Sequence, residues 1–417
     1  MKILIKDATI IDKNSSFHQR KKSIYIKNGQ IEKIADHLEI EDAEIIQGKE
    51  LMVSPTFFDP FVNFGEPGFE DRETLKNGLA VAAKGGFGDV ILQSTTQPNF
   101  DQASTVGQIL SKYSREICQL HLAGALSLSK AGKDLSEILE LDAYGVKGFS
   151  DVFNSVEDAN LLKLALLYAQ KVDQTISSFP LDTQLADRAA VHENIDTYTL
   201  GLRSMPAMAE EIRLERDLAI LAYTGGKLHI PAISTKRSVE IIKKAKADGL
   251  NVTCGVAVHN LCYTTQKLSD FNTNFKVYPV LRSEEDRQAV IHGLQSGVID
   301  MVSSMHYPRT PEEKNCEFEQ AEFGSLGLES CLGMLLTAFK PDEAVDFLTR
   351  GKSVFQIDQS PLAENQSAAL TCFDLAEKYQ LQAENLMSSV KNSMYIGETL
   401  PVSIKATIKA NKSTIYG

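Results

Sequence analysis

The spacing of hydrophobic positions changes twice along the chain, which divides the sequence into three parts. In the first part, short apolar runs alternate with polar positions, and an Asn28-Gly29 pair separates two such runs over residues 24–34. Asn-Gly between apolar runs favours a two-residue hairpin turn. Residues 1–54 are therefore predicted to form a small antiparallel β unit.

A different pattern runs from residue 55 to about residue 356. Short apolar runs bounded by glycine alternate with longer segments whose apolar residues recur at spacings of three and four. The predicted strands are 89–92, 120–126, 145–149, 174–179, 227–230, 251–256 and 298–303, and the predicted helices include 156–169, 208–223, 236–247 and 283–296. This alternation predicts parallel strands joined by right-handed crossovers. The periodicity alone fits either a closed (β/α)8 barrel or an open doubly wound sheet.

The last part of the chain returns to β character. Apolar runs at 369–373 and 401–408 lead to a predicted closing hairpin at 409–412. We therefore predict one small β-sandwich domain built from both termini, residues 1–54 and 357–417, beside an α/β domain of residues 55–356.

Composition and charge narrow the class of protein. The 417 residues carry a net charge of −12 without a basic stripe, which disfavours nucleic acid and anionic membranes as partners. No apolar run reaches the roughly 18 residues that a membrane span needs, and the N-terminus lacks a signal-peptide core. The six cysteines are scattered without a Cys-x-x-Cys pair, as in proteins of a reducing compartment. A cytoplasmic protein is expected.

A motif at residues 55–68 resembles the metal-site signature of the dihydroorotase family of cyclic amidohydrolases, in which the run is Asp-x-His-x-His-x-Arg-x-Pro-Gly. Asp59 matches this run, as does the closing Pro67-Gly68 pair. Further stretches that resemble the family are Gly85-Gly86-Phe87, Phe149-Ser150-Asp151, 206–218, 228–235, 273–282, 311–314, 324–329 and 392–397. The resemblance implies a TIM-like metallo-dependent hydrolase barrel, (β/α)8, with its site at the C-terminal ends of the strands.

The resemblance also implies a chemistry that most residues at the matching positions cannot supply. In such hydrolases a zinc ion lowers the pKa of bound water to about 7, and a carboxylate shuttles the proton. Asp151 stands where the family places a metal-binding Asp. The other metal and proton-shuttle positions hold Phe61, Asn63, Phe179, Ala232 and Met305, with Met305 at the catalytic Asp position. Phenylalanine has no lone pair for zinc, and asparagine is a poor zinc ligand.

The positions implied to bind substrate are altered as well. Gly65 stands at the carboxylate-binding Arg position, and Thr95 and Tyr278 stand at two Asn positions. Arg309, which replaces a histidine, and His306 are the remaining candidates for binding an anionic substrate. Because the replacements are mostly apolar, we expect the former metal pocket to be packed.

Three functions stay open at this point. The leading one is a catalytically inactive dihydroorotase homologue of pyrimidine biosynthesis, which acts without a cofactor as a structural or regulatory partner subunit, for example of aspartate carbamoyltransferase. The second is an active zinc-dependent dihydroorotase, or another cyclic amidohydrolase, with a rearranged site. The third is a non-enzymatic oligomeric scaffold. The family resemblance also implies a homo-oligomer, commonly a dimer.

Overall fold

The computed structural model describes residues 1–416. Its strands are β1 (Lys2–Ile10), β2 (Lys21–Lys27), β3 (Gln30–Ala35), β4 (Glu44–Ile46), β5 (Leu51–Pro55), β6 (Phe57–Val62), β7 (Phe87–Leu92), β8 (Gln119–Leu122), β9 (Phe149–Ser150), β10 (Ile176–Ser177), β11 (Val191–His192), β12 (Ser204–Met205), β13 (Leu228–Ile230), β14 (Val252–Ala257), β15 (Met301–Ser303), β16 (Ala369–Asp374), β17 (Tyr379–Gln380), β18 (Thr399–Leu400), β19 (Ser403–Lys409) and β20 (Lys412–Ile415).

The α-helices are α1 (Leu75–Lys84), α2 (Ala103–Lys112), α3 (Ile138–Ala143), α4 (Ala159–Ala169), α5 (Thr183–Ala186), α6 (Ile195–Tyr198), α7 (Met208–Thr224), α8 (Lys236–Ala247), α9 (Val258–Cys262), α10 (Glu284–Gln295), α11 (Pro311–Lys314), α12 (Cys331–Leu335) and α13 (Pro341–Thr349). Short 3-10 helices lie at Leu128–Lys130, Gln170–Val172, Thr265–Leu268, Thr273–Phe275, Arg350–Phe355 and Ala383–Asn385. No helix within residues 1–416 is long and apolar enough to cross a membrane.

Eight parallel strands form the centre of the molecule. The strands β6, β7 and β8 pair in order, and β9, β10, β13, β14 and β15 pair in order. A parallel bridge between Gly124 and Phe149 connects these two sets on one side. On the other side, the Asn63 N–H donates to the His306 carbonyl at 2.8 Å, next to the ends of β6 and β15. The pairings thus follow chain order around a ring, and the predicted α/β fold is confirmed.

Two of the helices around the ring begin at side-chain caps. The Thr235 hydroxyl accepts a hydrogen bond from the Ser238 N–H at the start of α8, and the Ser283 hydroxyl accepts one from the Asp286 N–H at the start of α10. Such caps satisfy N–H groups that have no partner within the helix. The helix α8 then buries Ile242 and its apolar neighbours against the ring.

Strands from both ends of the chain join into one eight-stranded sheet, in the order β20-β19-β16-β5-β1-β2-β3, with β4 paired to β1. The predicted hairpin turns at Asn28 and Gly29, whose φ angles of 50° and 79° suit the two-residue turn. A Cβ on Gly29 would lie 2.6 Å from the Ala410 carbonyl carbon, so glycine is required for contact as well as for conformation.

Candidate functional site

The C-terminal ends of the ring strands bring several of the expected metal positions together. Phe61 in β6, Ala232 after β13 and Met305 after β15 form one buried cluster with Val152 and Ala257. Each of these five residues is at most 5% exposed. The sequence therefore identified positions that do meet in space, and the side chains there form a hydrophobic core.

A phenylalanine that the sequence analysis did not single out sits at the centre of this region. The Phe153 ring centroid lies 5.3 Å from that of Phe61, 5.1 Å from Phe179, 5.6 Å from Tyr278 and 5.8 Å from Tyr307. These are separations at which aromatic rings attract one another beyond simple burial. We call these five residues the aromatic plug.

Little space remains beside the aromatic plug. The cavity lined by Phe179, Ala232 and Tyr278, among others, has a volume of about 10 Å³. One water molecule needs roughly 10–15 Å³ by this measure. Small-molecule sites span about 300–1,000 Å³. The packing expected from the apolar replacements is therefore found here.

The Asp151 carboxylate accepts hydrogen bonds from the loop that follows β8. Its Oδ1 accepts from the N–H groups of Leu126 at 2.9 Å and Ser127 at 3.0 Å, and its Oδ2 accepts from the Ser127 hydroxyl at 2.5 Å. Burial raises the pKa of Asp151, and these donors act in the opposite direction. The predicted strand 120–126 ends at Leu122 in the structure, and at the end of the predicted range the Leu126 N–H donates to this carboxylate instead of a neighbouring strand.

Asn63 also has a structural partner. Its side-chain oxygen, the atom with lone pairs suited to a metal, accepts from the Thr95 hydroxyl at 2.9 Å. The structure thus brings together two positions that the resemblance assigns separately to metal and to substrate. Asn63 is completely buried.

Asp59, the matching residue of the opening motif, fixes β6 against β15. Its carboxylate accepts from the Phe61 N–H at 3.0 Å, the Ser303 hydroxyl at 2.7 Å and the Ser304 N–H at 2.9 Å. Burial raises the pKa of Asp59, and these donors favour its ionised form. The carboxylate that matches the family motif is therefore completely buried and joins β6 to β15.

The structure does not join Arg309 and His306 into an anion site. The Arg309 guanidinium donates to Glu313 at 3.0 Å and to the Phe323 carbonyl at 2.8 Å. His306 is completely buried, and its Nδ1 accepts from the Gly327 N–H at 3.2 Å, which leaves the proton on Nε2. The Arg309 guanidinium is thus paired and the His306 imidazole is neutral, so neither offers a free positive charge to an anionic substrate.

Burial lowers the pKa of His306 to about 3, so acid is expected to destabilise the protein through this residue. An unfolded histidine binds its proton near pH 6.5. Between about pH 6.5 and pH 3, His306 is protonated only in the unfolded chain. The free energy of unfolding therefore decreases by about 1.4 kcal/mol for each unit by which the pH is lowered. Urea unfolding at several pH values should show that the free energy of unfolding depends less steeply on pH in His306→Gln than in His37→Asn, the control at an exposed site. Equal slopes in both variants would contradict this assignment.

The backbone also closes over the position of the family's arginine. A Cβ on Gly65 would lie 1.8 Å from the Phe69 carbonyl oxygen and 2.8 Å from the Glu73 carbonyl oxygen. The loop after β6 therefore occupies the space that a side chain at residue 65 would need. This loop is also held in place by the Gly65 N–H, which donates to the Glu73 carbonyl at 2.9 Å.

Replacing Gly65 by alanine is therefore expected to destabilise the protein. Overpacking of a rigid backbone contact costs about 1–3 kcal/mol, and we expect the upper end for Gly65→Ala because both close atoms belong to the main chain. Urea unfolding followed by far-ultraviolet circular dichroism measures the loss. Gly132→Ala has nothing within 4 Å of its added Cβ but places alanine at a φ of 67°, so it measures the cost of backbone conformation alone and should destabilise the protein less than Gly65→Ala. An unchanged midpoint in Gly65→Ala would mean that the loop moves freely.

The strand ends keep an unusual backbone although their side chains are apolar. Val152 and Met305 have φ angles of 63° and 49°, in the left-handed region. This conformation is unfavourable for a β-branched residue, and such strain concentrates at functional sites. The backbone conformation is thus one that is common at active sites, whereas the side chains are those of a hydrophobic core.

The donor atoms at this position do not fit a zinc ion. Zinc takes about four nitrogen, oxygen or sulfur ligands. Here the expected positions carry two phenylalanines, an alanine, a methionine, an asparagine bonded to Thr95 and an aspartate bonded to Ser127. Among residues 1–416, no group of three or more His, Cys, Asp or Glu side chains is arranged to hold a metal.

Comparisons with known proteins agree with the resemblance. A family model described as "Dihydro-orotase-like" matches residues 50–238. Curated proteins named "Dihydroorotase" from Caldicellulosiruptor saccharolyticus and Acetivibrio thermocellus are 35% and 33% identical to this chain, over 98% and 97% of it and 97% of each relative. The solved L-hydantoinase (dihydropyrimidinase) of Arthrobacter aurescens has the same fold, with a TM-score of 0.86 and 18% identity over 100% of this chain and 97% of that chain. The chain belongs to the dihydroorotase family of cyclic amidohydrolases.

Proposed function

We propose that this member of the dihydroorotase family does not hydrolyse cyclic amides and acts as a structural or regulatory partner subunit. The observation that carries the proposal is the aromatic plug, which fills the strand ends where the chemistry would take place. Opening a cyclic amide at neutral pH requires an activated water and a positioned base. The side chains around Phe153 offer hydrocarbon and aromatic surface instead.

The partner that we propose is aspartate carbamoyltransferase, on the basis of the family's place in pyrimidine biosynthesis. A surface feature supports an interaction role, because Ile195 and Tyr198 are 84% and 86% exposed. Both lie on α6 at a spacing of three, so they share one helix face. Co-elution of this chain with the transcarbamoylase is expected, and Ile195→Ser with Tyr198→Ser should weaken it. Separate elution at micromolar concentrations would contradict the partner proposal and leave an oligomeric scaffold, such as a dimer.

A second candidate function is favoured by the names of the relatives. Proteins up to 35% identical to this chain over nearly their whole length are named "Dihydroorotase". A working zinc-dependent dihydroorotase would have to assemble its metal site from a different conformation, in which Phe153 leaves the strand ends and Asp151 releases Ser127.

The deciding experiment is dihydroorotate ring opening by the purified chain with excess zinc. Enzymes of this kind accelerate their reactions by about 10⁶-fold or more, so an operating site is readily detected. We expect no turnover above that of the isosteric variant Asp151→Asn, which controls for contaminating enzyme. Turnover that is lost in Asp151→Asn, together with zinc retained after gel filtration, would contradict the proposal and establish the second candidate.

A further inference from the structure

A large cavity lies on the far side of the molecule from the aromatic plug, between β7, β8 and the terminal strand β19. Its volume is about 780 Å³. Its lining includes Asp89, His121, Lys147, Lys352, Lys409 and Lys412. Cavities of this size are typical of small-molecule sites. None of the residues discussed for hydrolysis belongs to it.

One carboxylate at the deep end of this cavity faces two ammonium groups. The Lys409 Nζ lies 2.7 Å from Asp89 Oδ1, and the Lys352 Nζ lies 3.3 Å from Asp89 Oδ2. The side chains of Asp89 and Lys352 are each only 4% exposed. Within residues 1–416, no second carboxylate lies within 4.0 Å of either ammonium nitrogen. The deep end therefore carries one surplus positive charge where water screens it poorly.

Lys352 still has hydrogen-bonding capacity. Its ammonium group has three donors, and its contacts with Asp89 at 3.3 Å and with the Thr56 hydroxyl at 3.4 Å are both longer than ordinary hydrogen bonds. The His121 imidazole also donates to Asp89, at 3.0 Å, so this one carboxylate contacts three donor groups, on His121, Lys352 and Lys409. Burial lowers the pKa of Lys352, which a bound anion would oppose.

Two more lysines line the cavity nearer to solvent. The Lys147 ammonium donates to the Gln356 carbonyl at 3.1 Å, and the Lys412 ammonium donates to the Glu116 carbonyl at 3.1 Å. Neither is paired with a carboxylate in an ion pair of the described residues. The side chains of Glu116 and Asp358 also line this outer part, so its charges balance. The surplus positive charge of the cavity therefore lies at the deep end.

We propose that this cavity binds a phosphate-bearing small molecule, with its phosphate held by Lys352 and Lys409. Ammonium groups bind phosphate oxygens as point-charge donors. Both ammonium groups contact the one carboxylate, and Lys409 also donates to the Gly88 carbonyl at 2.7 Å, so each has a donor left for a phosphate beside Asp89. The remaining volume accommodates the group that carries the phosphate. Such a ligand would connect the ring, through β7 and β8, with the terminal sheet, through β19, whether or not the strand ends are catalytic.

Isothermal titration of the full chain with pyrophosphate, at constant ionic strength set by chloride, tests this site. We expect saturable binding with a dissociation constant in the millimolar range or below, and a melting temperature that rises with pyrophosphate. Lys409→Gln should weaken binding by about tenfold or more, which corresponds to the loss of one charge-assisted contact. Lys412→Gln, an exposed position whose replacement leaves the fold intact, should weaken it about threefold. Lys236→Gln, a surface lysine paired with Glu285, is the matched control and should bind like the unmodified chain.

Three results would overturn the proposal. The first is a heat of binding and a melting temperature that pyrophosphate changes no more than chloride does. The second is equal binding in Lys409→Gln, Lys412→Gln and the control. The third is tighter binding of succinate than of pyrophosphate, which would assign the cavity to dicarboxylates. Since none of these readouts involves ring opening, failure here is independent of the function proposed above.

Discussion

Replacing the partly buried Phe153 by alanine is expected to lower the free energy of unfolding by about 2–3 kcal/mol, below the roughly 3–5 kcal/mol measured for fully buried phenylalanine truncations. Four ring contacts at 5.1–5.8 Å are lost at once, with Phe61, Phe179, Tyr278 and Tyr307. The strand ends around the Phe153 side chain belong to paired parallel strands, which limits how far they can move to fill the space. Urea unfolding followed by circular dichroism measures the change, since the chain has no tryptophan to report by fluorescence.

The control for this substitution is Tyr198→Ala. Tyr198 is 86% exposed, and substitutions at such positions usually stay within about 0.5 kcal/mol. Phe153→Leu should fall between the two, because it keeps most of the buried hydrocarbon and loses only the ring geometry. A Phe153→Ala variant as stable as Tyr198→Ala would mean that the aromatic plug is loosely seated, and the case for an inactive barrel would weaken with it.

The second large effect is expected at Asp89. Asp89→Asn should lower the free energy of unfolding by about 3–5 kcal/mol, because removal of one partner leaves a buried ammonium group without its counter-charge. Burial acts to raise the pKa of Asp89, but the hydrogen bond from His121 and the ammonium groups of Lys352 and Lys409 hold this pKa well below its usual range. Urea unfolding at pH 7 measures the loss.

A double variant separates this cause from a general disturbance of the fold. Asp89→Asn with Lys352→Met removes both the carboxylate and the more deeply buried ammonium, and a buried ion pair can be replaced by neutral groups at little cost. We expect the double variant to be more stable than Asp89→Asn alone. Asp36→Asn, which breaks an ion pair whose carboxylate is 89% exposed, should leave the midpoint unchanged. A double variant less stable than Asp89→Asn alone would contradict the charge explanation.

Much of the fold was predictable from the sequence, because local patterns determine it. Short apolar runs bounded by glycine located seven of the eight ring strands, and apolar spacings of three and four located several helices. The family motif likewise identified positions such as Phe61 and Met305 that meet at the strand ends. These signals depend on neighbours in the chain or on a known spacing.

The role of Phe153 could not be predicted in the same way. It lies in a loop, where no periodicity indicates whether a side chain turns inwards, and it matches no ligand position of the family motif. The Asp89 cluster was equally hidden, since its lysine partner Lys409 lies 320 residues away in the sequence. A pattern of residue types says which groups must be buried, but the partner of each group follows only from the tertiary structure.

The terminal sheet also has a consequence for synthesis on the ribosome. Strand β5 pairs with β16, for example at Pro55 with Leu370, so one edge of β5 lacks its neighbour until almost the whole chain has emerged. At about 5–20 residues per second, that delay is roughly 15–60 s. Throughout it, β5 presents an unpaired edge of the kind that recruits other chains. Nascent copies of this protein are therefore expected to be prone to aggregation until β16 has emerged, and a ribosome that stops before that point would release a fragment with this edge exposed.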